Sequence, residues 1–553
     1  MMRRPLILSH LILVLLMTTS TTALHAETVS PEWAVKWQED LAFVSKKLPE
    51  SHADLFHAMT PEEFSAAVTA LSARVPTMSH HEIVVELAVI VALVRDGHTR
   101  LTLPMVEGTG FFRGHSKTPA PKDPALLFHH YPIRLYIYSD GLFVERISAE
   151  LGGKDKALTG ARVRRIGTMS AEEAMAAVSP VVQRDNEAQV KHLLPSRLVV
   201  PEILAARGVI DDMDRAVFVL ETRDGKEHTL ALAPVPDGTE VEWVDAREDA
   251  YGDAREDAHG DDTPLYLRDR RSNYWFEYLP GERTVFFQYN EVYDMDDESI
   301  ADFAVRMTEF IDSHEVDRLV IDLRFNPGGN NDMNRSLLHA LIRCPRVQAP
   351  GSLFAIVGRG TFSAAMMFAL DLEKHTHVIF VGEPTGASPN NYGDSRKMKL
   401  PETGLTIRAS SLYWQYGGPQ DDRPWIPPHI PTALSSEDYR LGRDPALAAI
   451  LTTAVAKPTR DIGGSWAGRV RNYVIHVNFA RGDKEWTATI DFPDYEAMGL
   501  PMQNIRYDAP RIHFELLDEG ELISFDGEAR GGRIIGSATM GGLSYPYALS
   551  RKQ

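Results

Sequence analysis

Leu353-Phe-Ala-Ile-Val357 runs directly into Gly358-Arg-Gly-Thr-Phe-Ser363-Ala-Ala365 and then into an apolar helical pattern. An unbroken apolar run of this length, cut off by glycines, reads as a buried strand. Ser363 therefore stands where a strand turns sharply into a helix N-terminus. There the helix dipole and the amide of Ala364 favour a nucleophile, although the position equally suits a serine that simply caps the helix. Upstream, Arg318-Leu-Val-Ile-Asp-Leu-Arg324 leads into Phe325-Asn-Pro-Gly328-Gly329 and another helix. Paired glycines after a strand let backbone N–H groups converge on one spot, a nest for an anion or a developing oxyanion, though Pro-Gly-Gly alone also makes a tight turn. From Tyr274 to about Ala456 strands keep alternating with helices, which predicts a βαβ core.

The rest of the chain must be accommodated around that core. At 553 residues, 44% apolar and 24% charged, it has the balance of a globular protein with several domains. The excess of 77 acidic over 58 basic residues, a formal charge of −19, argues against nucleic acid as a partner. One cysteine, Cys344, excludes an intrachain disulfide and any multi-cysteine metal site. The start, Met1-Met-Arg-Arg-Pro5 followed by apolar Leu6 to Met17 and small residues ending near Ala23 or Ala26, reads as a Sec-type signal peptide. Its dozen apolar residues are short for a bilayer span of about 20. Export to the periplasm or exterior is expected, with no stable membrane span after cleavage.

Before the core, Trp33, Trp37, Leu41, Val44 and Leu48 fall at helical spacing behind Ser30 and Pro31. Thr60-Pro-Glu-Glu63 and Ser79-His-His-Glu82 are capping boxes that open two further helices. The third helix is expected to stop at Asp96-Gly97, with Gly97 in the left-handed position, placing His98 just beyond a rigid helix end. A serine nucleophile needs a base, and His98 is the candidate, although position alone would not select it among 20 histidines. Short strands then mix with a helix near Ala171 to Val178. Asp245-Ala-Arg-Glu-Asp-Ala-Tyr-Gly252 is followed by a near copy at Asp253–Gly260, and its acidic spacing fits a solvated linker rather than a calcium loop. After Trp466, alternation in Tyr473, Ile475, Val477 and Phe479 predicts a small antiparallel sandwich or barrel.

Asp96-Gly-His-Thr99, Asp322-Leu-Arg-Phe-Asn-Pro-Gly-Gly329, Thr361-Phe-Ser-Ala-Ala365 and Val381-Gly-Glu-Pro-Thr-Gly386 occur in this order. Together they resemble the S41 serine peptidases, the tail-specific or C-terminal processing protease and tricorn-core superfamily. The likeness spans about Pro31 to Ala456. It implies a multidomain α+β protein: signal peptide 1–26, helical region 27–105, PDZ-like module 125–240, acidic linker 241–265 and an α/β (ClpP/crotonase-like) peptidase core 266–456. The tail 460–553, with Gly463-Gly-Ser-Trp-Ala-Gly468 and Ile535-Gly-Ser-Ala-Thr-Met540, resembles a lipocalin-like β domain. Packing against the core, or holding substrate, are both open for it.

In this likeness Ser363 is the nucleophile, and Gly328 or Gly329, with Ala364, supplies the oxyanion-hole amides. Processing proteases of the family use a lysine base in the loop after the Gly-Glu strand. Here that loop, Ala387-Ser-Pro-Asn-Asn-Tyr-Gly393, has none, and Lys374 falls on the helix after Ser363. The Asp-Gly-His-Thr element instead resembles the histidine-base branch, with His98 as base. Asp422 aligns with the family's orienting acid, while Asp421 and Glu383 remain alternatives. The expected activity is hydrolysis of peptide bonds in peptides or unfolded proteins, with no metal and no organic cofactor. The rival is a catalytically inactive peptide- or ligand-binding protein on the same scaffold.

Overall fold

The strand that precedes Ser363 lies in the middle of a six-stranded sheet. Its order is Ile430–Pro431, Ile379–Gly382, Leu353–Val357, Arg318–Asp322, Thr284–Tyr289, Tyr274–Leu279. All neighbours are parallel except the last pair, an antiparallel edge. Every residue of the three central strands Thr284–Tyr289, Arg318–Asp322 and Leu353–Val357 is buried, as a sheet covered on both faces requires. Helices Ile300–Ser313, Asn334–Arg343 and Ala364–His375 cover one face, and Pro445–Thr452 packs on the other. This is the expected βαβ core. The computed structural model describes residues 28–106, 121–152, 158–247, 263–453, 459–470, 473–482, 485–518, 520–541 and 543–552. The expected signal peptide and most of the duplicated acidic stretch lie outside them.

The helices Pro31–Ser51, Pro61–Arg74 and His80–Ala92 form where the caps predicted them. Ser30 accepts the N–H of Trp33, and Thr60/Glu63 and Ser79/Glu82 are reciprocal capping boxes. Their buried stripes, such as Trp37, Leu41, Val44 and Leu48, do not make a core of their own. They merge with Ile133, Val144, Phe218 and Leu220 of the region 125–240 into one apolar cluster. That region carries a seven-stranded sheet built around Ile133–Tyr138, Gly141–Ser148, Arg162–Ile166, Ala216–Glu221 and Glu227–Leu232, with helices Ala171–Val178 and Glu187–Arg197.

A third, three-stranded sheet joins the N-terminal helices to the core. Arg100–Thr102 pairs antiparallel with Thr406–Trp414, which in turn pairs with Asn391–Lys399. The pairing Arg100↔Arg408 anchors the chain one residue beyond Thr99, so the Asp-Gly-His-Thr segment is tied to the core hairpin. Ser410 N–H donates to Thr99 Oγ1 at 3.0 Å, and Ala53 N–H donates to the Ser410 carbonyl at 2.8 Å.

The C-terminal strands from Gly464–Val470 to Leu543–Arg551 form a nine-stranded antiparallel sheet, coiled nearly into a closed barrel. Its interior is filled by Trp466, Phe479, Phe514, Phe525 and Tyr547. A filled interior of this kind is a packed core rather than a ligand cavity. Among the described residues no helix is long and apolar enough to cross a membrane.

Candidate active site

The turn after Leu353–Val357 is pinned from below. Thr361 Oγ1 donates to the Leu323 carbonyl at 2.8 Å and accepts the Gly358 N–H at 3.0 Å, and Phe362 N–H donates to the Asn326 carbonyl at 3.0 Å. These bonds push Ser363 into φ 51°, ψ −126°, a region that costs a residue with a Cβ of order 1–3 kcal/mol. Its hydroxyl makes no capping bond to the helix Ala364–His375 that it precedes. The capping role that the sequence left open is therefore not taken. A half-buried serine on a strained strand-to-helix turn is the geometry of a nucleophile elbow.

The Asn-Pro-Gly-Gly turn lies against it. Gly328 has φ +100°, and a Cβ there would stand 2.7 Å from both Ser363 Cβ and the Ala364 nitrogen. The Gly328 amide is already used, donating to Asn326 Oδ1 at 2.9 Å. Asn326 is fully buried and donates in turn to the Tyr289 carbonyl at 3.0 Å. Among the described residues, neither the Gly329 nor the Ala364 amide donates to a protein acceptor. Buried Asn334 fixes the start of the helix by donating to the Ala364 carbonyl at 3.0 Å.

His98 reaches the same turn. Its ring lies 4.4 Å from that of Phe362, the residue before Ser363. A Cβ on Gly97 would meet Gln189 at 2.5 Å and Phe362 at 2.9 Å, so only glycine allows the two segments to approach this closely. The left-handed residue at the helix end is Arg95, at φ 53°, not Gly97 as expected. The helix itself stops at Ala92, which leaves Gly97 to serve packing instead of the turn. Burial drives the His98 pKa down to about 4 despite the nearby charge of Asp96, so the imidazole is neutral at neutral pH. Its Nδ1 is buried and has no hydrogen-bond partner among the described residues. No hydrogen bond joins it to Ser363 there either.

The carboxylate facing His98 belongs to Asp96. Its Oδ1 accepts the backbone N–H of His98 at 2.8 Å and stands 4.0 Å from His98 Nδ1. Its Oδ2 accepts from Thr99 Oγ1 at 2.5 Å and from His52 Nε2 at 3.0 Å. Burial pushes the Asp96 carboxyl up, but the bond from His52, the charge of His98 and the hydroxyls of Ser410 and Thr99 outweigh it and hold it below the usual range. A second carboxyl, the half-buried Asp185, accepts the Gly97 N–H at 2.6 Å and the Ser388 N–H at 3.4 Å, clasping the His98 segment to the 387–393 loop. Burial, with Asp96 close by, pushes Asp185 up to about 8.

No family model matches the chain, and no curated protein matches it in sequence. Solved structures do match. Mature CPAF complexed with lactacystin aligns at TM-score 0.51 and 12% identity, over 76% of this chain and 97% of that one. This chain has the fold of mature CPAF. The photosystem II D1 C-terminal processing protease (14% identity, 74% of this chain and 94% of that one, TM-score 0.34) also aligns. So does the tricorn protease (12% identity, 76% of this chain and 36% of that one, TM-score 0.34).

Within this CPAF-like fold, Ser363, Gly328, Gly329, Ala364 and the segment carrying His98 come together, whereas two of the three acids considered from sequence are held in ion pairs. Glu383 is paired with Arg359 at 2.9 Å. Asp421 is paired with Arg423 at 2.8 Å, and Arg423 also holds Glu373 at 2.8 Å. Asp422 is exposed and bonds to no other side chain among the described residues. Lys374 is exposed too, and donates to the Tyr416 carbonyl. Sequence reading passed over Asp96 as a helix terminator. The signal was present in the Asp-Gly-His spacing, which lets an aspartate accept the N–H two residues on. Among the described residues no group of three or more His, Cys, Asp or Glu side chains is arranged to hold a metal ion.

Proposed function

We propose that this chain is a secreted serine-type peptidase of the S41 type, from the histidine-base branch, that hydrolyses peptides or unfolded proteins. The single observation that carries the reading is the conformation of Ser363. A serine at φ 51° with an uncapped hydroxyl, backed by the Gly328 turn, holds strain that no structural role requires.

Ser363 Oγ forms the bond to the scissile carbonyl carbon as His98 removes its proton. Because His98 is neutral above about pH 4, it is in the accepting form at neutral pH. The oxyanion takes the N–H groups of Gly329 and Ala364, both aimed by the strained turn and already free of protein acceptors. Gly328 contributes by its lack of a side chain, since its own N–H is held by Asn326. Collapse breaks the C–N bond while the imidazolium returns its proton to the leaving amine. Water then repeats the sequence on the acyl ester and restores Ser363. Asp96 takes the orienting role that sequence alignment gave to Asp422, since it is the buried carboxylate beside His98. The region 125–240 is read as a PDZ-like module that holds the chain to be cut, and the lipocalin-like barrel as packing for the core. Residues 1–26 support delivery to the periplasm or exterior.

One observation favours the rival, a non-catalytic binding scaffold: Ser363 and His98 are not hydrogen-bonded. Catalytic pairs are often loose without substrate, so fluorophosphonate labelling read by peptide mass spectrometry decides. Covalent modification at Ser363 that disappears in His98→Ala and survives in Lys374→Ala is the expected result. A folded protein that never labels belongs to the rival class.

A further inference from the structure

One of the hydrogen bonds that hold Asp96 comes from a histidine outside the motif. His52 follows the helix Pro31–Ser51, and its side chain is fully buried. Its Nδ1 accepts the N–H of Asp54 at 3.0 Å. An Nδ1 that accepts cannot carry the proton, so in neutral His52 the proton is on Nε2. That Nε2–H meets Asp96 Oδ2 at 3.0 Å. With Thr99 Oγ1 also donating to Oδ2, that oxygen has two donors and is filled. Oδ1 accepts the His98 N–H, and the Ser410 hydroxyl is also directed at this carboxylate. The one buried group facing it without a partner is His98 Nδ1, 4.0 Å away. Asp96 Oδ1 and an unpartnered ring nitrogen thus face each other across a gap that closes with a shift of about 1 Å.

We propose that His52 is a positioning residue of this site, its Nε2–H turning the Asp96 carboxylate so that Oδ1 receives Nδ1–H of His98 and Nε2 of His98 is left as the proton acceptor. This rests on the hydrolase reading above. Without His52, Oδ2 would have an unfilled acceptor position, and the carboxylate could rotate to share it with its other donors. The groups around His52 are those of its own turn and of the core hairpin. The His57 ring is stacked at 5.9 Å and the Tyr392 ring lies at 5.0 Å, with Asp54 bonded to Tyr392. The bond from His52 to Asp96 therefore ties the N-terminal helices to the segment carrying His98, whose ring also faces the backbone of Tyr392.

Two measurements test it. The first uses the unaltered protein: nitrogen NMR of 15N-histidine-labelled chain, with His52 and His98 assigned by the signals lost in His52→Gln and His98→Gln. Protonated Nε2 at His52 and protonated Nδ1 at His98 are expected, and the opposite tautomer at either ring overturns the proposal. The second is kinetic. His52→Phe keeps a ring in the site but removes the donor, and kcat is expected to fall about 10- to 100-fold with little change in KM. His52→Gln, which places an N–H near the same point, is expected to recover most of the loss. A folded His52→Phe enzyme with unchanged kcat and unchanged His98 tautomer overturns the proposal. The tautomers are read whether or not peptides are cleaved. Failure to label Ser363 would therefore count against the hydrolase reading, while the NMR result still decides the role of His52.

Discussion

A Cβ on Gly328 would stand 2.7 Å from the Cβ of Ser363. The Asn-Pro-Gly-Gly turn and the turn that carries Ser363 are thus in contact at a residue that has no side chain. Gly328→Ala adds a methyl group at φ +100° against the Phe362 carbonyl, 2.9 Å away, as well as against Ser363. The backbone must shift, and Gly329 N–H shifts with it. The expected result is a loss in kcat of about 100- to 1,000-fold, the effect of misplacing one oxyanion donor. Strain should also cost the fold about 1–3 kcal/mol. Steady-state kinetics and thermal unfolding of the same sample check both.

Asp96→Asn separates the two carboxylates that compete for the orienting role. The amide keeps the size of the side chain but lacks the charge that favours protonated His98. It also turns one oxygen acceptor into a donor, against Thr99 or His52. On the reading above kcat falls roughly 100- to 10,000-fold, as when the aspartate of a serine–histidine triad becomes asparagine. Asp422→Ala, at an exposed position, should leave kcat/KM within about twofold. Parallel kinetics of the two variants give the answer, and the reverse pattern would return the role to Asp422.

The parts of this molecule legible in sequence were those set by local pattern. Apolar runs ended by glycines gave the strands around Ser363, and reciprocal capping residues placed Thr60 and Ser79. What escaped was set by contacts between distant segments. Arg95, not Gly97, takes the left-handed turn, because Gly97 is needed for its approach to Gln189 and Phe362. Asp96 and His52 are 44 residues apart, and only the packing of helix Pro31–Ser51 against the core hairpin reveals them as partners. Likewise, Asp421 and Asp422 are indistinguishable as neighbours in sequence. The structure separates them through Arg423, which binds the first and leaves the second in solvent.

The barrel offers a test of stability away from the site. Trp466 is fully buried, its ring N–H donates to the Ile462 carbonyl at 2.7 Å, and the Arg551 guanidinium lies 5.0 Å from the ring centre. Trp466→Ala removes that packing and leaves the carbonyl without its donor. A cost of about 3–5 kcal/mol is expected, seen as a lower denaturation midpoint by circular dichroism.

The pH dependence of stability should show two titrating groups working against each other. Burial lowers the pKa of His98 from 6.5 to about 4, so between these values the unfolded chain holds a proton that the folded one does not. In that window the His98 contribution is lost as pH falls, by about 1.4 kcal/mol per pH unit. Asp185 is raised from 3.8 to about 8, so there the folded chain holds the extra proton and the contribution is lost as pH rises, with a similar slope. From about pH 4 to 6.5 the two nearly cancel. Asp185→Asn removes one of them, and unfolding free energy measured by urea titration should then climb with pH across this window. Activity gives an independent reading, because kcat/KM needs neutral His98 and its acid limb should have a midpoint near 4 rather than 6.5. A flat stability profile in Asp185→Asn, or an acid limb near 6.5, would show that His98 titrates as an ordinary solvent-exposed histidine.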